Sequence, residues 1–543
     1  SIRGRSLQAP PLDCTINGAA LLEIPGETLD ADFVYDCVNR MGETSRLILD
    51  DEQKNDLDAQ VKRGAVTLGE DQIELAGAMM SGNAITLPNG KVKVNKSTSK
   101  GRKLGTLDKV GLKPILVVRV IDKNGKARPE SDDEISSDVF SDAVNLKSQL
   151  SACSYGDLTV TNDYSEELGF TSAQLEKISE NIGAPGVMNA TIDLDITENN
   201  RYAIHDAVTS KVNSLLGFTL PGPFDQVMYV VEKCYVSCGY AAYAYINSWM
   251  SVYQDVYYKY VGVQVHELGH NFGLAHSGGL NGATYTDHTC MMGNPLYSDN
   301  IGKMCYNPAK NWQLPWYGGA GAGAYKKVFD PLVDSQFSFE LIGIGEYDNN
   351  PSNLPVVVKI ETGTANDFFI GFNRAFGPNV ENDEADNEVT LVETGNNGQS
   401  YSQSSLKAHL TQGESYTFGN FAGSGRDLVI TADSINIASA PGTASVSAVL
   451  QAACASDSDC ADDGIFCNGD EVCINGGCFS NGINPCGGVV AGYICIEDND
   501  TCSQIDGPIS VELTTDNYPA EISWNIKRKS DAGIVFSSPS YAT

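Results

Sequence analysis

Three of the six histidines of this 543-residue chain fall in one short stretch, HELGHNFGLAH, which covers residues 266–276. On a helix, residues four apart lie one above the other, so His266 and His270 can direct two imidazoles at one metal ion. Glu267 lies next to them, within reach of a water on that ion, which is the geometry of a general base. The pattern therefore predicts a helix that carries two metal ligands and a catalytic carboxylate.

His276 cannot lie on the same helix face as His266 and His270. A turn at Gly273 can bring it to the same metal ion. Glycine adopts positive φ readily, so Gly273 can end the helix and turn the chain until His276 becomes the third ligand. Three neutral imidazoles leave a fourth position for water, which is typical of a catalytic rather than a structural Zn²⁺. Zinc lowers the pKa of that water toward ~7 and polarises a carbonyl, while Glu267 takes the proton and passes it to a leaving amine. The expected chemistry is hydrolysis of an amide bond.

A second motif, DHTCMMG, follows at residues 287–293. A methionine beneath a metal site gives the imidazoles a polarizable, deformable floor rather than a further ligand. We predict that Met292 forms this Met-turn, because Gly293 after it would permit a tight turn, and Met291 is the alternative. The two motifs together match the metzincin signature of zinc peptidases.

With the preceding ILVVRV, LSACSYGDLTV and GYAAYAYINSW, these motifs resemble the gametolysin family of metallopeptidases (peptidase M11), within the metzincin clan. The resemblance spans about residues 109–420. It implies a secreted, zinc-dependent endopeptidase that is made as a zymogen. It further implies that the substrates are proteins or glycoproteins of the extracellular matrix or cell wall.

The resemblance also assigns roles to residues around the motifs. Residues 239–249 correspond to a cleft-edge strand that binds an extended peptide by adding it to the sheet, and an ordinary sheet strand is the alternative. Tyr297 and Tyr306 lie where some metzincins place an oxyanion-stabilising tyrosine. In a chain with 24 tyrosines, a packing role is favoured for both.

The elements that must position these motifs alternate between strand and helix. Residues 115–121 form a β-branched run typical of a strand buried on both faces. Near-helical spacing follows at Val139, Phe140, Val144, Leu146 and Leu150. Residues 224–233 and 241–249 predict two more strands, and residues 261–274 a helix. This layout predicts a multidomain α/β (α+β) protein with a metzincin-type catalytic domain at residues 109–325.

The rest of the chain divides by composition. Residues 1–108 are interpreted as a pro-segment that ends in a basic linker, with a candidate processing site near Arg102-Lys103 and a solvated connector as the alternative. Short alternating segments predict an antiparallel β-sandwich over residues 326–450. Residues 451–503 predict a disulfide-rich module, since eight of the 15 cysteines lie there. Residues 504–543 begin another β pattern, and the sequence is expected to end inside that domain.

The number of cysteines suggests one regulatory hypothesis. If the eight C-terminal cysteines pair among themselves, seven remain, and at least one must be free or intermolecular. A thiolate of Cys14 or Cys37 could occupy the open position on the zinc as a cysteine switch. The favoured alternative is a Cys14–Cys37 disulfide, with the odd thiol among the five central cysteines.

Charge and composition exclude several partners. The net charge of −33 and the pI near 4.4 exclude a nucleic-acid binder, because phosphate would be repelled. No 18-residue apolar run exists, so no membrane span is expected. The cysteine density favours an oxidising, extracellular location. Acidic loops in the cysteine-rich module suit Ca²⁺, although simple solvation of those loops is favoured.

Three hypotheses follow from these observations, and the third is a metal-dependent hydrolase of a non-peptide bond. The first is a secreted zinc endopeptidase in which His266, His270 and His276 hold the metal and Glu267 is the general base and acid. The second is a catalytically silent matrix or adhesion protein that acts through its cysteine-rich and β modules. Retention of Glu267 and all three histidines argues against the second hypothesis.

Overall fold

The structure is a computed structural model, and it describes the chain between residues 14 and 537 with gaps. The described ranges are 14–25, 33–39, 43–81, 83–88, 92–96, 109–236, 238–299, 301–317, 325–350, 352–395, 398–399, 401–451, 454–460, 467, 469–474, 477–481, 483, 485–486, 493–496, 501–504, 525–527 and 534–537. The predicted processing site at Arg102-Lys103 lies outside the described residues. So do the acidic residues of the cysteine-rich module at 461–466 and most of residues 504–543.

The segment before the linker is a small β-rich assembly with one helix. Its elements are β1 (Thr15–Glu23), β2 (Phe33–Val38), β3 (Thr44–Ile48), α1 (Asp51–Lys62), β4 (Gln72–Ile73), β5 (Met79–Ser81), β6 (Ala84–Thr86) and β7 (Val94–Asn95). Helix α1 begins at a capping box, in which the Asp50 side chain and the Gln53 side chain each accept from the other's backbone N–H. Leu57 and Val61 on this helix are buried in a core made mainly by the strands of the same segment.

The region that carries the histidines alternates strands and helices as the sequence predicted. Its elements are β8 (Gly111–Ile121), α2 (Asp132–Phe140), α3 (Leu146–Cys153), β9 (Leu158–Thr161), α4 (Ser172–Asn181), β10 (Ile182–Ala184), β11 (Val187–Thr191), α5 (Arg201–Leu216), β12 (Gln226–Val231), β13 (Tyr240–Tyr245), β14 (Met250–Gln254), α6 (Val261–Asn271), β15 (Ser277–Gly278) and α7 (Pro308–Gln313). The mixed α/β class is therefore confirmed for this region.

One twisted sheet supports the whole region, with the described strands in the order β10-β11-β8-β12-β14-β13-β1-β2-β3-β6-β5. Strands β11, β8, β12 and β14 are parallel to one another, whereas β13 runs antiparallel to β14. Ile115 to Val118 in β8 are fully buried, which agrees with the prediction of a strand covered on both faces. The sheet continues past β13 into β1, so the N-terminal segment shares the sheet of the histidine region.

Two helices replace the single run of helical spacing predicted around Val139 to Leu150. Helix α2 ends at the cap residue Ser141, and α3 starts afresh at Asn145, whose side chain accepts from the Ser148 N–H at 2.8 Å. An asparagine that caps a new helix satisfies N–H groups that a continuous helix would have bonded internally. The cap at Asn145 therefore divides into two helices the segment whose apolar spacing is near-helical throughout.

Beyond the histidine region the chain is almost entirely β. The strands are β16 (Lys326–Phe329), β17 (Gln336–Ile342), β18 (Val357–Ile360), β19 (Asp367–Asn373), β20 (Glu388–Thr394), β21 (Ser404–Leu410), β22 (Ser415–Phe418), β23 (Leu428–Asn436) and β24 (Thr443–Leu450). Two sheets contain them, in the orders β15-β21-β20-β19-β18-β16 and β17-β24-β23-β22. The predicted strands are present, but β15 and β21, and likewise β16 and β18, pair in parallel, so the expectation of a purely antiparallel region is wrong. The sandwich packing stays a prediction.

The C-terminal residues that the structure describes form short hairpins. Their strands are β25 (Glu471–Ile474), β26 (Gly477–Ser480), β27 (Tyr493–Ile496), β28 (Thr501–Gln504), β29 (Asn525–Lys527) and β30 (Ile534–Ser537). Disulfides staple the module that the cysteine spacing predicted, and they include Cys454–Cys473, Cys460–Cys478 and Cys486–Cys502. Among the described residues, no helix combines the length and the apolar character that crossing a membrane requires.

The chain divides into two compact units. The first comprises Ser1–Asp330, Ser338–Glu414 and Thr431–Val446, and the second comprises Pro331–Phe337, Ser415–Ile430 and Ser447–Thr543. The three histidines lie in the first unit. The domain boundaries predicted at residues 108, 325, 450 and 503 stay predictions.

We expect the Cys153–Cys305 disulfide to contribute more to stability than Cys234–Cys238. The first closes 152 residues of chain and the second only 4. Loop-closure entropy alone gives ~5 kcal/mol for the long loop and ~2 kcal/mol for the short one. Replacing each pair by serines and measuring the free energy of unfolding in denaturant tests this, since all four sulfurs are buried. Equal losses from the two variants would contradict the expectation.

Candidate metal centre

Helix α6 presents two of the predicted ligands from a fully buried position. His266 and His270 have no exposed surface, and their Nε2 atoms lie 3.1 Å apart. Two nitrogens that each bind one Zn²⁺ at about 2.1 Å with tetrahedral angles would be ~3.4 Å apart. The spacing of four residues on one helix therefore places these nitrogens close to the separation that a shared ion requires.

Backbone carbonyls fix which nitrogen of each imidazole is available. His266 Nδ1 lies 2.6 Å from Met291 O, and His270 Nδ1 lies 2.8 Å from Leu274 O. A carbonyl oxygen only accepts, so each Nδ1 donates its proton and each Nε2 keeps a free lone pair. Donation of the outer ring nitrogen to a carbonyl is the usual support for a metal-ligating histidine.

The chain returns to the site through a turn at Gly273. This glycine has φ of +81°, as the sequence predicted, and its N–H donates to His270 O at 2.8 Å. A Cβ at this position would also collide with the side chain of Asn247. The turn brings His276 back, so that His266, His270 and His276 each offer a ring nitrogen within 4.8 Å of the other two.

Burial sets the charge state of the three imidazoles. Loss of hydration lowers the pKa of His266 to about 4, and it lowers the pKa values of His270 and His276 well below their ordinary value. The neighbouring imidazoles lower the last two further, because like charges repel. All three rings are therefore neutral near pH 7, which is the state that binds a metal ion.

Glu267 is buried beside the ligands without a protein partner. Neither of its carboxylate oxygens has a hydrogen-bond partner among the described residues, and the side chain has no exposed surface. Burial raises the pKa of Glu267 well above its ordinary value. A buried carboxylate without partners is costly unless a cation or a bound water compensates it. The donor set of three neutral imidazoles and one unpaired carboxylate fits a Zn²⁺ ion with an open position.

The loop at residues 287–293 packs against helix α6. The Met292 sulfur lies against Gly269, which stands between His266 and His270 in the sequence, and a Cβ on Gly269 would collide with it. Gly293 is required by close approach rather than by positive φ, because a Cβ there would collide with the carbonyl of Asp287. Met292 thus packs against helix α6, and Met291 contributes its carbonyl to His266. The role of Met292 as the Met-turn residue stays a prediction.

Tyr285 is a residue of the site that the sequence did not reveal. Its hydroxyl lies 3.0 Å from His276 Nε2 and donates to Leu21 O at 2.7 Å. Its φ of +64° is left-handed, which is uncommon for a bulky residue and is typical of functional positions. Nothing in the local sequence distinguishes this tyrosine from the other 23, because its placement depends on the turn after His276.

The two tyrosines that the resemblance offered differ in their surroundings. Tyr306 is buried, and its hydroxyl donates to Val265 O at 2.9 Å, which is a packing role. Tyr297 is half-buried, and burial raises its pKa, with the carboxylates of Glu267 and Glu23 raising it further. Tyr297 therefore lies near Glu267, and its role in stabilising an oxyanion stays a prediction.

The structure agrees with the Cys14–Cys37 disulfide that was favoured over a cysteine switch. Cys14 and Cys37 form a disulfide, so neither is a thiolate that could reach the histidines. Cys290 is the free cysteine that the structure identifies, and burial raises the pKa of its thiol to about 12. A buried, protonated thiol is unreactive.

The family comparison agrees with this geometry. Residues 117–337 match the family model of gametolysin peptidase M11. The chain contains a gametolysin peptidase M11 domain. This confirms the resemblance, and membership of the metzincin clan is consistent with it. No curated protein and no solved structure matches the chain significantly.

The M11 match contains the complete three-histidine site. It begins within β8, ends within β17 and includes both motifs, at residues 266–276 and 287–293. It is shorter than the 109–420 span inferred from the resemblance, since the strands after β17 lie outside it. M11 is a family of peptidases, so the match supports a peptidase, and a peptidase acts on polypeptides.

We expect His270→Ala to abolish metal binding by the M11 domain. Removing one of three ligands leaves two imidazoles, which hold a divalent ion far more weakly than three. Elemental analysis of the purified protein should fall from about one zinc per chain to almost none. His409→Ala is the matched control, because His409 is partly exposed and bonds to Glu388 outside this site. Zinc retention in both variants would contradict the assignment.

Proposed function

We propose that the protein is a secreted zinc-dependent endopeptidase that hydrolyses peptide bonds in extracellular or cell-wall proteins and glycoproteins. The observation that carries the proposal is the convergence of three neutral imidazoles next to a buried carboxylate without a protein partner. The M11 match supports the peptidase class. The disulfides support an oxidising, extracellular location.

In this mechanism each residue has a separate task. His266, His270 and His276 would hold the ion through the nitrogens that face one another. When bound, Zn²⁺ supplies Lewis acidity and makes a water more acidic. Glu267 accepts a proton from water during attack on the peptide carbonyl and returns it to the departing amine. Burial makes its carboxylate a stronger base than an exposed one, which suits this transfer.

The alternative is a catalytically silent matrix or adhesion protein. A catalytically silent protein would gain nothing from a buried carboxylate without partners beside the histidines, because such a group only destabilises the fold. Glu267 therefore favours the enzyme. Calcium binding by the cysteine-rich module stays a prediction, since its acidic residues at 461–466 lie outside the described residues.

We expect Glu267→Gln to remove peptidase activity while leaving the zinc in place. The amide keeps the shape of the side chain but cannot accept the proton, so turnover should fall ~10²–10⁴-fold. Cleavage of an unfolded protein substrate, assayed before and after a cut in the 91–113 linker, gives the rate, and elemental analysis gives the zinc content.

The control for this prediction is Glu414→Gln, at an exposed residue far along the chain. It should cleave at the rate of the parent protein, and a chelator should abolish both activities until zinc is restored. Unchanged proteolysis by Glu267→Gln would disprove the mechanism.

A further inference from the structure

Strand β21 lies outside the M11 match, yet it pairs with the chain that directly follows the third histidine. The match ends at residue 337, and β21 covers Ser404–Leu410. It runs parallel to β15, with Ser404 opposite Ser277. The Ser404 N–H donates to His276 O at 3.1 Å. A main-chain group of β21 therefore holds the main chain of the proposed third ligand.

The side chains of Ser277 and Ser404 meet where neither has any exposed surface. Their hydroxyl oxygens are 2.8 Å apart, and Ser277 Oγ donates to Asp287 Oδ2 at 2.5 Å. A serine hydroxyl has one proton to donate. Because Ser277 uses its proton on the carboxylate, Ser404 must donate to Ser277. The hydrogen bonds therefore run in one direction, from β21 through Ser277 to Asp287.

Asn307 joins the same group of side chains from the start of helix α7. Its Nδ2 lies 2.9 Å from Ser277 Oγ, 3.0 Å from Asp287 Oδ2 and 3.2 Å from Ser404 Oγ. Its Oδ1 accepts from the Lys310 N–H at 3.0 Å and so caps the helix. We call Ser277, Asp287, Asn307 and Ser404 the serine–aspartate cluster. One amide connects its other three members to a helix N-terminus.

Asp287 is the negatively charged member of the serine–aspartate cluster, and it is fully buried. Its Oδ1 accepts from the Thr289 N–H at 2.9 Å and from Thr289 Oγ1 at 2.6 Å, so each carboxylate oxygen has two donors. The buried Lys310 supplies a positive charge that attracts Asp287, and its Nζ donates to Ser402 O at 3.1 Å. A buried carboxylate is stable when it is bonded and compensated in this way.

The serine–aspartate cluster acts at the point where helix geometry no longer positions a ligand. His266 and His270 are held by α6, whereas His276 follows the turn at Gly273. The residue after it, Ser277, donates its N–H to Met292 O at 2.8 Å and its hydroxyl to Asp287. The main chain at residues 276–277 is thus bonded both to the loop at 287–293 and to β21.

We propose that Ser404 of β21 and the serine–aspartate cluster position His276, so that the metal-binding unit of this chain extends past the M11 match into the following sheet. The members of the cluster are positioning residues, because they act through the main chain at residues 276–277. The inference deepens the proposed function and rests on it for the role of the metal. Zinc affinity tests it without any cleavage of a substrate.

The first variant is Ser404→Ala in the full chain. It removes one hydroxyl and keeps the main-chain bond from residue 404 to His276. We expect the Kd for zinc, measured by competition with a chromophoric chelator, to rise about tenfold, as is usual when groups that support a metal ligand are removed. Ser405→Ala is the matched control, because Ser405 points to the opposite face of the same strand and pairs with Gly278. It should keep the parent Kd.

A second pair of variants separates positioning from stability. Asn307→Ser keeps an oxygen that can cap α7, but its short side chain cannot bridge the other three members of the cluster. We expect weaker zinc binding and an altered visible spectrum of the Co²⁺-loaded protein, since those bands report the geometry around the ion. Ser404→Thr retains the hydroxyl and should restore the parent zinc affinity. The free energy of unfolding of each metal-free protein is measured in denaturant for comparison.

The outcomes decide the inference separately from the proposed function. Parental zinc affinity and cobalt spectra in Ser404→Ala and Asn307→Ser, with only the free energy of unfolding lowered, would mean that the cluster stabilises the fold without positioning His276. Equal losses of affinity in Ser404→Ala and Ser405→Ala would show an unspecific effect of β21, and either result overturns the inference. Weaker zinc binding in the cluster variants alone would support it. Zinc-loaded parent protein that cleaves no polypeptide would overturn only the proposed peptidase function.

Discussion

The structure depends on keeping three imidazoles neutral, buried away from water, and oriented so that one ring nitrogen of each lies close to the other two. That condition requires a carbonyl acceptor behind the rings on α6, and the carbonyls come from the chain after the helix, at Leu274 and Met291. The helix must in turn be held against the sheet, which Asn271 does through two strand carbonyls. The turn at Gly273 and the loop at residues 287–293 both serve this requirement, because they bring the chain back to the rings.

Burial shifts the pKa values of the three histidines and of Glu267 in opposite directions. It lowers the pKa values of the three histidines and raises that of Glu267, so that in each case the neutral form is favoured. A metal cation binds an imidazole in its neutral form. The carboxylate can ionise in the same pocket at low cost only if a cation lies beside it, because the attraction then offsets lost hydration. One dry pocket therefore couples metal affinity to the basicity of Glu267.

The sequence predicted most of the metal centre and much less of its surroundings, for a physical reason. The positions of His266, His270 and Gly273 are set by helix geometry over a few residues, and local spacing records them directly. Tyr285 depends on a left-handed residue in an irregular loop, and β1 reaches the site across more than 200 residues of chain. Such long-range pairing leaves no periodic signal, so only the fold brings these residues together.

The pairing of β1 with β13 removes a liability of the large sheet. An edge strand with unpaired backbone groups invites association with other chains. Strand β1 satisfies those groups on one side of β13, so that this side is not an open edge. Residues 14–96 have a core of their own, around Leu57 and Val61, which can keep β1 extended against β13. The local packing of a short segment therefore supports the sheet that holds helix α6.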